Sequence, residues 1–147
     1  MNGARENTPK EREIASMTYA HIVRVQELMG QMTQALIRRA VAHDASKVQL
    51  PEAEGFAVHT EQLRGLTYGS PEYKAQLAAM KPTLDHHYAN NRHHPEHFTN
   101  GVDGMDLLDL IEMVCDWKAA TERHANGDIL KSIEINKARF NLSDQLA

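Results

Sequence analysis

Nine histidines stand in this chain, and five of them, His86, His87, His93, His94 and His97, fall within twelve consecutive positions. Neutral imidazole binds divalent transition metals, and near neutral pH it also exchanges a proton. Two more histidines sit beside carboxylates or in their neighbourhood: His43 directly precedes Asp44, and His21 lies 22 residues before that pair. Farther on, Asp109, Glu112 and Asp116 form an acidic row on one helical face. Two imidazoles and two carboxylates drawn from these positions suit manganese, iron, zinc, nickel or cobalt, whereas magnesium and calcium prefer shells of oxygen alone.

These residues need helices to bring them together. Thr8-Pro9-Lys10-Glu11 reads as a helix start, with Thr8 as cap, Pro9 at the first helical position and Glu11 closing a capping box. Ile14, Met17, His21, Val25, Leu28 and Met32 then recur at steps of three and four, so this spacing predicts an amphipathic helix with His21 facing inward. The pattern runs past Gly30 to the sequence His43-Asp44-Ala45-Ser46-Lys47. Residues 48–69 contain Pro51, Gly55, Gly65 and Gly69 and read as a loop with one short helix at most. Ser70-Pro71-Glu72 starts another helix, in which Tyr73, Leu77, Met80, Leu84 and His87 share a face. Pro82 should kink or split it. His87 is in phase with that face and His86 is not. A polar turn spans residues 90–104, a helix runs from about Met105 to His124, and Asn126-Gly127 breaks the chain before a last amphipathic helix. No strand pattern or internal repeat appears, so the expected class is all-α, a bundle of about five to six helices in a single domain over residues 1–147.

On these residues the sequence resembles the HD superfamily of metal-dependent phosphohydrolases, whose pattern is a His, a His-Asp pair and a distant Asp on a helical bundle. The His43–Lys47 stretch is similar to the HD-x-G-K variant, with Ser46 where glycine is usual. It resembles more closely a small bacterial and phage family of unassigned function, marked by HD-x-S-K, a His-rich segment like that from Asp85 to His97, and a helix like that from Glu112 to Trp117. That likeness covers about His21 to Trp117. It implies that His21, His43, Asp44 and Asp116 are metal ligands, with Asp116 preferred over Asp109 and Glu112, and that central histidines match the extra ligands of dinuclear relatives. His87 with one or both of His93 and His94 would then hold a second metal or contact phosphate. His59, His97 and His124 read as surface residues, and solvated histidines in a surface turn compete with the ligand reading for the whole cluster.

Lys47 lies one turn beyond His43 if the helix continues, where its ammonium can offset charge on a phosphoryl group. Glu54, in the loop that follows, is a candidate proton donor or an acid that orients a ligand. The expected function is a metal-dependent phosphohydrolase with one or two metal ions per chain, Asp44 holding or bridging them. The substrate expected is a nucleotide or other small phosphate ester, a deoxynucleoside mono- or triphosphate first. Two alternatives are an HD-type di-iron oxygenase and a non-catalytic nucleotide- or metal-binding module. A net charge of −4 argues against a nucleic-acid polymer as partner. No apolar run reaches the roughly 20 residues of a membrane span, and the N-terminus lacks an apolar signal core, so a cytoplasmic protein with no membrane partner is expected. A homo-oligomer is compatible with these features. Cys115 is the only cysteine and its apolar neighbours predict a buried, inert thiol.

Overall fold

The computed structural model describes residues 5–67, 70–123 and 127–147. Gly69, His124 and Asn126, expected respectively in a loop, at the surface and at a chain break, lie outside the described residues. Among those described, every regular element is helical: α1 (Pro9–Ala42), α2 (Glu52–Arg64), α3 (Pro71–Ala79), α4 (Lys81–Asn90), α5 (Leu107–Thr121) and α6 (Ile129–Phe140). Short 3-10 turns occupy Ala45–Val48, Pro95–His97 and Gly101–Gly104. None of these helices is long and apolar enough to cross a membrane.

The chain divides into two compact units, Met1–Arg38 and Arg39–Ala147. The first is built on α1, whose start follows the expected chemistry. Thr8 N donates to Glu11 Oε2 at 2.7 Å and Glu11 N donates to Thr8 Oγ1 at 3.2 Å, a reciprocal capping box. Gly30 does not interrupt the helix. Its apolar stripe is not covered, however: Ile14, Met17, Val25, Leu28 and Met32 are all exposed, and so is His21.

The second unit holds the other five helices. Ser70 caps α3 through Tyr73 N, and Pro82 splits the predicted helix into α3 and α4 around Met80. Residues Glu52–Arg64 form a helix where their glycines suggest a loop, because Gly55 serves packing rather than a turn. A Cβ at Gly55 would collide with the Thr83 side chain, so its absence lets α2 approach α4 closely. Asp106 caps α5 in a capping box with Asp109. Trp117 stacks on Phe140, 6.1 Å between centroids, joining α5 to α6. Cys115 is exposed rather than buried, since the helical turn that faces inward carries Met113 instead.

The interior of this unit is polar. Met80, Met113 and Leu142 are buried, yet so are Glu52, His87, Asn91, His93 and Asp109. Burying titratable groups is costly unless each finds a partner, so these side chains define where the chemistry lies.

Candidate metal centre

Asp44 stands at the middle of the cluster. The α1 helix ends at Ala42, and Asp44 adopts a left-handed conformation (φ 56°, ψ 12°), which Asp tolerates better than most residues. This turn, rather than a continued helix, places the side chains of the His43–Lys47 motif. Lys47 therefore does not reach out one helical turn past His43 as the motif suggested. It folds back so that Nζ lies 2.5 Å from Asp44 Oδ2.

Imidazoles converge on Asp44 from three directions. His87 Nε2, from α4, is 3.2 Å from Asp44 Oδ1, and His93 Nε2, from the turn after α4, is 3.6 Å from the same oxygen. His43 Nε2 is 3.5 Å from Asp44 Oδ2 and 3.7 Å from Asp116 Oδ1 on α5. His94 Nε2 lies 3.0 Å from His87 Nε2. None of these approaches satisfies Asp44 Oδ1 or His93 Nε2, which are buried without a hydrogen-bond partner; at 3.2 Å His87 is close to Oδ1 but lacks hydrogen-bond alignment.

On His43, His87 and His93 the opposite ring nitrogen is tied to a carboxylate. Glu112 Oε1 lies 2.9 Å from His43 Nδ1 and 3.2 Å from His93 Nδ1, while its Oε2 accepts from Arg39 at 3.2 Å. Glu52 Oε2 lies 2.8 Å from His87 Nδ1 and accepts from Ser46 Oγ at 2.8 Å. Asn91 Nδ2 donates to Ser46 Oγ at 2.8 Å and to the His87 carbonyl at 2.8 Å. A carboxylate that accepts the Nδ1 proton fixes the tautomer with its lone pair on Nε2. The nitrogens directed at Asp44 are thus the ones left to ligate.

Electrostatics reinforce this assignment. Burial pushes the Asp44 carboxyl up, but the His87 imidazole, the Lys47 ammonium and His43 outweigh it and hold it below the ordinary carboxylate range. Burial, then the neighbouring His93, His87 and Lys47, push the His94 imidazole down to about 3, so at neutral pH it is an uncharged donor. His93 is also lowered, by burial first and then by His43. Desolvation raises Glu52, yet its bonds from His86, His87 and Ser46 prevail and keep it ionised.

The ligand atoms of Asp44, His87, His93 and His94 all lie within 4.8 Å of one another, as do those of His43, Asp44 and Asp116, and those of His43, His93 and Glu112. The second unit therefore contains His/Asp/Glu groups that could hold a metal ion, and the two unpartnered buried atoms fit a cation between them. A cavity of about 230 Å³ adjoins the cluster, lined by Arg39, Asn90, Asn91, Arg92, His93 and Glu112.

Of the residues singled out in the sequence, His43, Asp44, Lys47, His87, His93, His94 and Asp116 come together here. His21 does not face inward as its spacing predicted; it is exposed on the part of α1 that belongs to the first unit. Glu54 is exposed, whereas Glu52, two residues earlier in the first turn of α2, is the buried acid at the cluster. A helix start at Pro51 with acids in its first turn was the available signal. Glu112 and Asp109 take different roles from Asp116: Glu112 orients two imidazoles, and Asp109, fully buried, binds Arg39 at 2.6 Å and Arg92 at 2.8 Å. His86 is exposed, with Nδ1 2.8 Å from Glu52 Oε1. His59 and His97 are half-buried rather than free at the surface, His59 against Gln76 at 2.7 Å and His97 donating to the Tyr88 carbonyl at 2.8 Å.

Residues 10–147 match the model of a family of unknown function, DUF5662. No curated protein and no solved structure matches the chain.

Proposed function

The chain belongs to that family of unknown function, and because membership assigns no reaction, we propose one from the chemistry of the cluster: metal-dependent hydrolysis of a small phosphate ester. Asp44, His87, His93 and His94 would hold one divalent transition metal, and His43, Asp44 and Asp116 a second, with Asp44 shared. The observation that carries this reading is the convergence of imidazole Nε2 atoms on a buried carboxylate oxygen that has no hydrogen-bond partner of its own. Four carboxylates, Asp44, Glu52, Glu112 and Asp116, face Lys47 and Arg39 there, a balance that still calls for added positive charge.

Held by these residues, a divalent cation would supply the activation of water for attack on phosphorus near neutral pH. The protein's own residues do the rest. Glu52 and Glu112 retain the Nδ1 protons and keep the rings from turning. Lys47, beside Asp44, offsets negative charge that grows on phosphoryl oxygens as the ester P–O bond breaks. The cavity beside His93 is of a size for a phosphoryl group and its immediate substituent, below the roughly 300 Å³ at which pockets for larger ligands begin. This favours a nucleotide or comparable small ester bound by its phosphate end.

Elemental analysis of the purified protein, followed by phosphate release measured across nucleoside mono- and triphosphates and simple phosphate esters, tests the reading. Bound transition metal with metal-dependent phosphate release supports it. An imidazole-rich set also suits iron, so tightly bound iron with oxygen consumption and no phosphate release would replace it with a di-iron oxygenase. Metal binding without any turnover would leave a binding module.

A further inference from the structure

We propose that Ser46 and Asn91 are positioning residues that select the His87 tautomer able to ligate, an inference that rests on the metal-centre reading above. Three elements meet at this point. Ser46 stands in the turn Ala45–Val48, Glu52 opens α2, and His87 and Asn91 lie one helical turn apart at the end of α4. Glu52, His87 and Asn91 are all buried, so their polar atoms depend on one another for partners.

The direction of each bond follows from the one before it. Asn91 Nδ2 donates to the His87 carbonyl at 2.8 Å. A carbonyl can only accept, so this contact fixes which end of the Asn91 amide is the nitrogen. Its second hydrogen goes to Ser46 Oγ, also at 2.8 Å. Having accepted there, Ser46 turns its single hydrogen to Glu52 Oε2 at 2.8 Å. The ionised Glu52 accepts from both sides, so His87, 2.8 Å from the same oxygen, keeps its proton on Nδ1. Its Nε2 then faces Asp44 Oδ1 at 3.2 Å with a lone pair.

The opposite arrangement lies within reach. Asn91 Nδ2 is 3.0 Å from His87 Nδ1, and Ser46 Oγ is 3.4 Å from it. A donor released from its present partner would bond an unprotonated Nδ1 and send the ring proton to Nε2. Asp44 Oδ1, buried without a hydrogen-bond partner, would accept it there. A proton in that place occupies the lone pair that a metal needs. Ser46 prevents the exchange at both ends, because its oxygen engages the Asn91 hydrogen and its own hydrogen engages Glu52. Alanine at this position would leave Glu52 short of a donor and free Asn91 to bond the ring.

Nitrogen-15 NMR of the metal-free protein, labelled in its histidine rings, tests this, with the His87 signals identified by their loss in His87→Gln. In the wild type Nδ1 should carry the proton and Nε2 none. Ser46→Ala should move the proton toward Nε2 and weaken zinc binding about 10-fold in competition with a chromophoric chelator. Ser46→Thr, which keeps the hydroxyl, should restore both. A purely structural serine would lower the melting temperature of the alanine variant without moving the ring proton. Wild-type His87 protonated on Nε2 would overturn the proposal, and that result needs no variant to fold. So would an Ser46→Ala protein, helical by circular dichroism, that keeps the wild-type tautomer. A wild type that binds no zinc overturns the metal-centre reading itself, and is told apart because the tautomer is read without metal.

Discussion

Glu112 is the residue whose replacement examines the proposed centre most directly, because a single oxygen serves two imidazoles. In Glu112→Gln the side chain keeps its shape but loses its charge. Its one carbonyl oxygen can still accept from one Nδ1, while the amide end offers a donor where an acceptor is needed. His43, at 2.9 Å, and His93, at 3.2 Å, then compete for that oxygen, and the losing ring is free to turn or to move its proton to Nε2. Removing one such orienting partner commonly weakens metal binding 10–100-fold, about 1.4–2.7 kcal/mol. The fold should tolerate the change, since Arg39 retains Asp109 at 2.6 Å. Competition against a chromophoric chelator gives the dissociation constant for manganese or zinc in wild type and variant. Thermal melting without metal checks that the variant is folded. Added metal should then raise the melting temperature less for the variant, in line with its weaker binding. Equal metal affinity in two equally folded proteins would show that Glu112 does not orient His43 and His93 as ligands.

Lys47→Met should retain metal and lower kcat for phosphate release by about 10²–10³-fold, measured by steady-state kinetics with metal content followed in parallel; wild-type kcat and KM would remove Lys47 from the chemistry. His87→Gln should lose metal that His86→Gln retains, because only His87 directs Nε2 at Asp44, and elemental analysis of the pair decides it. Gly55→Ala should destabilise the fold by about 1–3 kcal/mol through its collision with Thr83, seen as a lower urea midpoint. For Asp109, burial pushes the carboxyl up but bonds from Arg92, the Asp106 amide and Arg39 prevail and lower it from 3.8. A depressed folded value gives stability that is present above the unfolded value and lost as pH falls through the folded one. Urea unfolding below about pH 4 should therefore show a loss of stability in wild type that is smaller in Asp109→Asn.

Local signals in the sequence determined where α1 and α3 start. Thr8, Pro9 and Glu11, and again Ser70 and Pro71, carry their capping chemistry within four residues, so no distant contact is needed to place those starts. Pro82 divides α3 from α4 for an equally local reason, a missing donor. The phase of a single helix likewise separated His87 from His86. Period says only which side chains share a face. Whether that face is covered depends on what lies across from it, and so His21, in perfect step with an apolar stripe, is exposed. Only the tertiary structure decided the acids. Asp109, Glu112 and Asp116 differ by three or four residues on one helix, yet one clamps two arginines, one orients two rings and one faces His43, because each meets a different neighbour. Glu52 was passed over for Glu54, since Gly55 looked like a loop former until Thr83 lay against it. The left-handed turn at Asp44 set Lys47 beside the carboxylate it serves. Such pairings join residues 40 to 70 positions apart, and their distances are set by how helices pack, which no local pattern encodes.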